Sequence, residues 1–338
     1  MRALLWAVLG VWFVLLSLWL ILHWAILPNV DRWRPELEQR ATSWLGSSVR
    51  IGAIAVRTAG WIPALDLRDV QLLDAQGRSA LRLPRVTAAL SARSLLTLSP
   101  RLEQLYLHEP ELELRRDAQG RVWVAGQRLR TEGAAEDTRL ADWLLRQHEF
   151  AIQGGRLRWV DETRSAEPLV LRGVDLLWRN GLRRHELRID AVPPPGWGER
   201  LSLRARVTQP FLARPSDWRR WNGLFYAELP RARVAELRRH LSLPFDLNEG
   251  DGALRFWAEL HQGSLRSADL DLALRAVALR LTPRVQPLQL ADLQTRISWS
   301  QQPQGTRWQL RGLRFKLQEG KDGKGPAQSW APSQLTLS

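Results

Sequence analysis

Histidine and carboxylate are the side chains best able to do chemistry in this sequence, and their spacing speaks against a reaction centre. The six histidines, His23, His108, His148, His185, His240 and His261, never fall in an H-E-x-x-H or similar spacing that would put two ligands on one helix face. Asp161-Glu162 beside Trp159 suggests an acid/base pair, yet adjacent residues of a strand point to opposite faces, so the pair reads as the entry to a turn. Asp74-Ala75-Gln76-Gly77-Arg78 and its repeat Asp117-Ala118-Gln119-Gly120-Arg121 combine an aspartate with a glycine but lack the further oxygen ligands of a calcium loop. The chain contains no cysteine, which removes disulfides and thiolate chemistry. It also has no phosphate-binding G-x-x-x-x-G-K-[ST], no G-x-S-x-G and no G-x-G-x-x-G after a strand. This pattern predicts a protein that is not an enzyme and that uses no metal or cofactor.

Tryptophan and arginine are the remaining candidates. The chain has 18 tryptophans and a net charge of +14, almost wholly from arginine because the only lysines are Lys316, Lys321 and Lys324. Trp159, Trp178, Trp257, Trp299 and Trp308 sit in strand patterns and could stack bases beside arginine. A nucleic-acid surface gathers such residues on one platform, whereas here they are dispersed, so no nucleic-acid partner is expected. Wide rings filling an apolar trough are the simpler reading. Arginine spread through the strand patterns reads as the polar outer face of a sheet, and secondarily as a surface attractive to phosphates.

The elements that position these residues begin with Leu4–Leu27, an apolar run whose polar side chains are only Ser17 and His23. As a helix it is roughly 36 Å long, enough to span a bilayer. No A-x-A-like cleavage site ends it, so it reads as an uncleaved anchor. His23, near its end, reaches the interface as a neutral imidazole. Arg2 favours a cytoplasmic N-terminus while Arg32, Arg34 and Arg40 pull the other way, and the count leaves the side open. Beyond Pro28 a short helix is expected from Pro35 to Gly46, with Leu37, Ala41, Trp44 and Leu45 on one face, capping the end of a sheet.

The rest is strand and turn, built on a recurring pattern: apolar, any, apolar, any, any, apolar. It occurs at Leu65-Leu67-Val70, Leu81-Leu83-Val86, Leu105-Leu107-Pro110, Leu169-Leu171-Val174, Leu272-Leu274-Val277 and Trp308-Leu310-Leu313. Alternation resumes at Val70-Leu72, Leu112-Leu114, Leu176-Trp178, Leu279-Leu281 and Phe315-Leu317. A three-residue step in a period of two would turn later side chains to the other face unless a bulge or turn absorbs it. The two pentapeptide repeats mark hairpin turns, Ser94–Leu98 reads as a connecting turn or helix, and Gln127–Asp137 as a linker. A helix follows at Leu140–Gln147. Strands are expected at Phe150-Ile152, Leu157-Trp159, Leu169–Trp178, Leu187-Ile189 and Leu201–Val207, with a Pro193–Gly196 corner. A second helix is expected at Arg231–Leu241, then strands at Leu254–Leu260, Leu270–Leu281, Ile297-Trp299 and Trp308–Leu317. Gln334–Leu337 looks like a strand that begins without a successor, as if the chain were the front of something longer. The expected sections are an anchor (1–27), a capping helix with a first sheet section (28–130), and a linker, helix and continuing section (131–338). About fifteen strands with few helices leave one apolar face to be covered, either by the sheet folding into a sandwich or barrel or by something else.

Leu27–Glu38 followed by Ser48–Gly52 resembles the start of the YhdP family within the AsmA-like proteins of Gram-negative envelopes. So do Leu67–Val70, Ser94–Leu96, Pro110–Asp117, Ala141–Gln147 and Gly155–Glu162, and the likeness runs through the chain in order. The resemblance implies a mainly β fold: an N-terminal transmembrane helix, then an elongated, curved antiparallel β-sheet groove with a few short helices. It implies an inner-membrane anchor with the bulk of the chain in the periplasm, and a non-enzymatic conduit carrying phospholipid acyl chains toward the outer membrane. Groove candidates are the repeat's apolar members: Leu65, Leu67, Val70, Leu81, Leu83, Val86, Leu105, Leu107, Leu112, Leu114, Leu169, Leu171, Val174, Leu176, Leu272, Leu274, Val277, Leu310 and Leu313. The expected partners are phospholipids, with envelope proteins second. The alternative function is an envelope scaffold that binds proteins through its strand edges. The resemblance also implies a protein several times longer than this chain.

Overall fold

The computed structural model describes the chain from residue 34 onward except 46–47, 60–61, 74–76, 78, 91–101, 125–126, 129–137, 165, 212, 215–216, 241–245, 281–287, 304, 318–332 and 338. Of residues 1–33 it describes Trp6, Leu9, Gly10, Trp12, Phe13, Ser17 and Arg32. The expected anchor, apart from those single residues, and the Ser94–Leu98 connector lie outside the described residues. Among the described residues no helix is long and apolar enough to cross a membrane.

Alternating sequence becomes strand almost everywhere, giving one large curved sheet of seventeen strands. Strands β1 (Ser48–Ala59), β2 (Ile62–Leu73) and β3 (Ser79–Leu90) form an antiparallel meander. Next to β3 lie β4 (Leu102–His108) and β5 (Glu111–Arg116), end to end, one continuing the line of the other. A hairpin follows in β6 (Val122–Val124) and β7 (Gln127–Arg128). The expected strands at Phe150 and Leu157 are one strand, β8 (Glu149–Asp161), which runs parallel to both β4 and β5. The expected all-antiparallel sheet therefore contains a parallel seam. Helix α2 (Thr138–Arg146) lies in the crossover that such a seam requires.

From β8 the antiparallel meander resumes through β9 (Leu169–Asn180), β10 (Arg184–Val192), β11 (Leu201–Thr208) and β12 (Asn222–Arg233). It continues through β13 (Asp246–His261), β14 (Ser264–Arg280), β15 (Leu288–Gln302), β16 (Gly305–Leu317) and β17 (Ser333–Leu337). Strand β12 was not foreseen. It runs past Pro230 because a register shift between Leu229 and Ala232 spares proline's missing N–H a ladder bond. The helix expected from Arg231 accordingly starts later, as α3 (Val234–His240). Gln127–Arg128, expected in a linker, pairs with Trp123–Val124 instead.

The three-residue steps are absorbed as expected, by backbone in the left-handed region. Asp69, Glu109, Gly173, Ala276 and Gly312, each just before the third apolar position of its pattern, have φ of 50°, 49°, 53°, 49° and 61°. Between β1, β2 and β3 the step is shared, so Gly52 faces Asp69 without loss of register, and a Cβ on Gly52 would stand 2.9 Å from that of Asp69. Strand β8 carries a further copy, Phe150-Ile152-Gly155, with Gly154 at φ 65°. The steps form a crease across the strands that keeps one face apolar on either side of it.

Helix α1 (Arg34–Leu45) is stitched to β1, since Ile51 N donates to Glu38 Oε1 at 2.7 Å and Val49 N to Thr42 Oγ1 at 3.0 Å. Its Leu37 and Ala41, with Trp143 and Leu144 of α2, pack on a core of Val49, Ile51, Ile54, Val70, Leu83, Val86, Ala88 and Leu105. This is the capping role expected of α1. A second core of Val234, Leu247, Leu274, Val277, Leu290 and Leu293 lies under α3. Among the described residues the two cores share no member, so the two ends of the sheet form separate cores and not the common core of a sandwich. No barrel closes either, because β1 pairs only with β2, and β17 only with β16, among the described residues.

Candidate functional site

Following the register from strand to strand shows what the repeat builds. One transverse row begins Val56–Leu65–Ala88–Leu105, crosses the parallel seam to Phe150 and continues Trp178–Leu187–Ala205–Phe225. It finishes Ala258–Ala268–Trp299–Trp308–Leu337. Two residues along each strand, a second row runs Ile54–Leu67–Val86–Leu107–Ile152–Leu176–Ile189 and then Leu203–Ala227–Phe256–Leu270–Ile297–Leu310–Leu335. Every position in both rows is apolar. At about 4.8 Å per strand the stripe is on the order of 60 Å long.

Cover is uneven along it. At the first end Val86 and Leu105 are buried beneath α1 and α2. In the middle, among the described residues, no helix lies over Ile152, Leu176, Leu187, Ile189, Leu203 and Phe225, which are half-buried, and further along Phe256 and Trp308 are 38% and 45% exposed.

The groove candidates separate accordingly. Leu65, Leu67, Val86, Leu105, Leu107, Leu176 and Leu310 lie in the two rows. Across the crease Leu81, Leu112 and Leu171 continue a shorter row through Leu72 and Leu157, and Leu114 and Leu169 flank Trp159. Val70 and Leu83 face each other within the first core, Leu274 and Val277 lie in the second with Leu313 packed against it, and Leu272 is buried. Val174 sits at the crease and is half-buried. Leu187, Ile189 and Leu203 were missed because their strands alternate without the three-residue step, and Phe225 because its whole strand, β12, was not expected. The alanines of the rows were missed because a small side chain carries little hydropathy signal.

The opposite face is a charge ladder. Arg179 Nε donates to Glu149 Oε2 at 2.8 Å, and Arg206 stands 3.5 Å from Glu186. Arg255 lies 3.4 Å from Glu228, and Arg296 Nη2 donates to Asp271 at 2.7 Å. Asp66, fully buried, accepts from Arg85 at 2.8 Å. The Tyr106 hydroxyl donates to Glu149 at 2.5 Å, which holds that carboxyl below its usual range, while burial and the carboxylate push the phenol up to about 12. Hydrogen bonds from Arg296 likewise hold Asp271 low against its partial burial. These acids are paired with arginine or tyrosine, so the arginines serve as the sheet's polar face, as the sequence implied. Trp257 is on this face, 5.5 Å under Arg296, whereas Trp178, Trp299 and Trp308 belong to the apolar rows.

His23 lies outside the described residues, and the five described histidines do not converge. His108 Nε2 lies 3.3 Å from Thr87 Oγ1, His148 lies 3.9 Å from Glu103, and His240 packs on Trp197. His261 is exposed at a turn. His185, beside the apolar rows, is buried between Trp178 and Trp221 with Nδ1 2.5 Å from Asn180 Oδ1, and burial pushes its pKa down, keeping it neutral. Asp161 and Glu162 do open a turn: Asp161 accepts from Thr163, and Glu162 accepts from Ala118 N at 3.2 Å. Burial pushes Asp161 up, but those bonds with Arg116 and Arg164 prevail and hold it low. Among the described residues no group of three His, Asp or Glu is placed to hold a metal ion.

Compared with known protein families, residues 1–335 match the family model described as YhdP protein. No curated protein and no solved structure matches the chain.

Proposed function

The chain belongs to the YhdP family, and we propose that it is a non-enzymatic lipid-transfer conduit whose apolar stripe forms a groove for phospholipid acyl chains. The observation that carries this reading is the pair of unbroken apolar rows, open to solvent where no helix covers them. A surface of that extent in water invites an apolar occupant. An acyl chain, a few ångströms wide, fits between rows about 7 Å apart and needs no polar contact along its length. In this reading Leu4–Leu27 anchors the protein in the inner membrane, with Trp6, Trp12 and Phe13 exposed to lipid, and the sheet stands in the periplasm leading toward the outer membrane.

The test is photo-crosslinking in the envelope with benzoylphenylalanine placed at Ile189 or Phe225 on the stripe and at Arg188 on the opposite face. Phospholipid adducts identified by mass spectrometry are expected at the first two positions only. Adducts at none of them, or equally at all three, would reject the conduit. The outer edges of β1 and β17, without a partner strand among the described residues, favour the scaffold reading instead if crosslinkers at Leu335 and Leu337 capture protein strands and the stripe captures no lipid.

A further inference from the structure

The turn joining β9 to β10 and the connector joining β11 to β12 lie side by side on one rim of the sheet, where Gln209 N donates to the Arg183 carbonyl at 3.0 Å. Three large apolar side chains leave these segments for solvent: Leu182 is 99% exposed, Phe211 75% and Trp218 52%. None belongs to the apolar rows. A lone exposed leucine needs no explanation, but three such side chains on adjoining tips form a surface.

The backbone behind them is fixed. Gly263 N donates to the Trp221 carbonyl at 2.8 Å, and Gln262 N donates to Asn222 Oδ1 at 2.9 Å. A Cβ on Gly263 would stand 2.4 Å from Cα of Arg219, so the connector is pressed against the turn between β13 and β14. Trp221 stacks on His185 at 5.6 Å and on Trp178 at 6.0 Å.

Around the tips stand Arg183, Arg184, Arg214, Arg219 and Arg220, all exposed. Arg219 lies 5.0 Å over the ring of Trp218. Unlike the arginines of the polar ladder, Arg183, Arg184, Arg214 and Arg220 have no acidic partner among the described residues. Asp217 is the only acid between Asn180 and Arg184 or between Gln209 and Trp221. Aromatic and leucine tips ringed by guanidinium groups match the headgroup layer of an anionic bilayer: the rings and leucine enter the acyl boundary, and the arginines take the phosphates.

We propose that this rim is a contact site for bilayers carrying anionic phospholipid. It is separate from the stripe, and it stands whether or not the stripe carries lipid. Because the chain has no cysteine, a single one introduced as Phe211→Cys can carry an environment-sensitive fluorophore. The full chain, held in phosphatidylcholine nanodiscs, is mixed with vesicles of phosphatidylglycerol and phosphatidylcholine or of phosphatidylcholine alone. A blue shift is expected with the anionic vesicles only, and none from a label at Glu111→Cys, on β5 away from the rim. Reversing Arg183, Arg184, Arg214 and Arg220 to glutamate should raise the lipid concentration at half-maximal shift by at least about tenfold. Replacing the same four with glutamine gives a milder set that should weaken the response in the same direction. The proposal is overturned by no shift with anionic vesicles, by an equal shift with neutral ones, or by a shift that survives all four reversals. It is also overturned if the label stays in water with both vesicles but crosslinks to an envelope protein. Lipid adducts on the stripe are read separately, so either reading can fail alone.

Discussion

The carboxylate of Asp117 accepts from Gln119 N at 3.1 Å, Arg121 N at 2.8 Å, Arg121 Nε at 2.6 Å and Trp123 Nε1 at 2.9 Å. Burial pushes its pKa up, but these donors prevail and lower it from 3.8 to about 2. A carboxyl depressed in the folded state contributes stability above its unfolded pKa, and that contribution is lost as pH falls toward the folded value. Thermal unfolding followed by circular dichroism should therefore show the midpoint falling between about pH 4 and pH 2. Asp117→Asn should lower the midpoint at neutral pH and flatten that acid limb. The repeat of Asp-Ala-Gln-Gly-Arg revealed the turn, with Gly120 at φ 78°. It did not reveal that the aspartate also holds the Trp123 indole, because that bond depends on where β6 places the ring.

At the scale of single elements, the crease shows how a sequence period becomes backbone geometry. The hexad was legible because the apolar residues on both sides of each step lie on one face, which obliges the chain to absorb a residue. Which residue turns left-handed was not legible, since glycine does so in β8, β9 and β16 but aspartate, glutamate and alanine do elsewhere. Ala276 occupies that region beside Val277, which is fully buried. Ala276→Gly should be neutral or mildly stabilising, whereas the β-branched Ala276→Val should cost about 1–2 kcal/mol in denaturant unfolding. Leu274, 1% exposed in the core beneath α3, should cost about 2–5 kcal/mol as Leu274→Ala. Strand β12 escaped detection because Pro230 and the run of arginine after it look like a strand end, and only the partner strand shows that the ladder passes around the proline.

For the whole molecule, the stripe divides into stretches that protein covers and a stretch that it does not, and the two should respond differently to charge. Leu203→Arg, in the half-buried middle with no helix above it, should shift the unfolding midpoint by only about 2–4 °C. It should also abolish lipid adducts at Leu203's neighbours Ile189 and Ala227. Val86→Arg, at the covered end of the stripe beneath α1 and α2, should prevent folding because the charge has no partner there. Wild-type-like lipid adducts in the Leu203 variant would show that the middle of the stripe is not part of the path. Composition and period gave the single apolar face, the polar face and the scarcity of cover. The parallel seam was invisible, because it depends on residues 117–148 making a crossover rather than another hairpin.

That seam has a consequence for how the protein is made. Beyond β8 every strand pairs with its immediate predecessor in the chain, so each can be added to a finished edge at the cost of closing one local connection. The β1–β2–β3 meander is local in the same way. Only the docking of β8 along β4 and β5 must wait for α2 and the hairpin before it, which makes that step the slow one in assembly. A chain emerging N-terminus first would thus complete a small sealed nucleus under α1 and α2, pause there, and then lengthen strand by strand like a zipper.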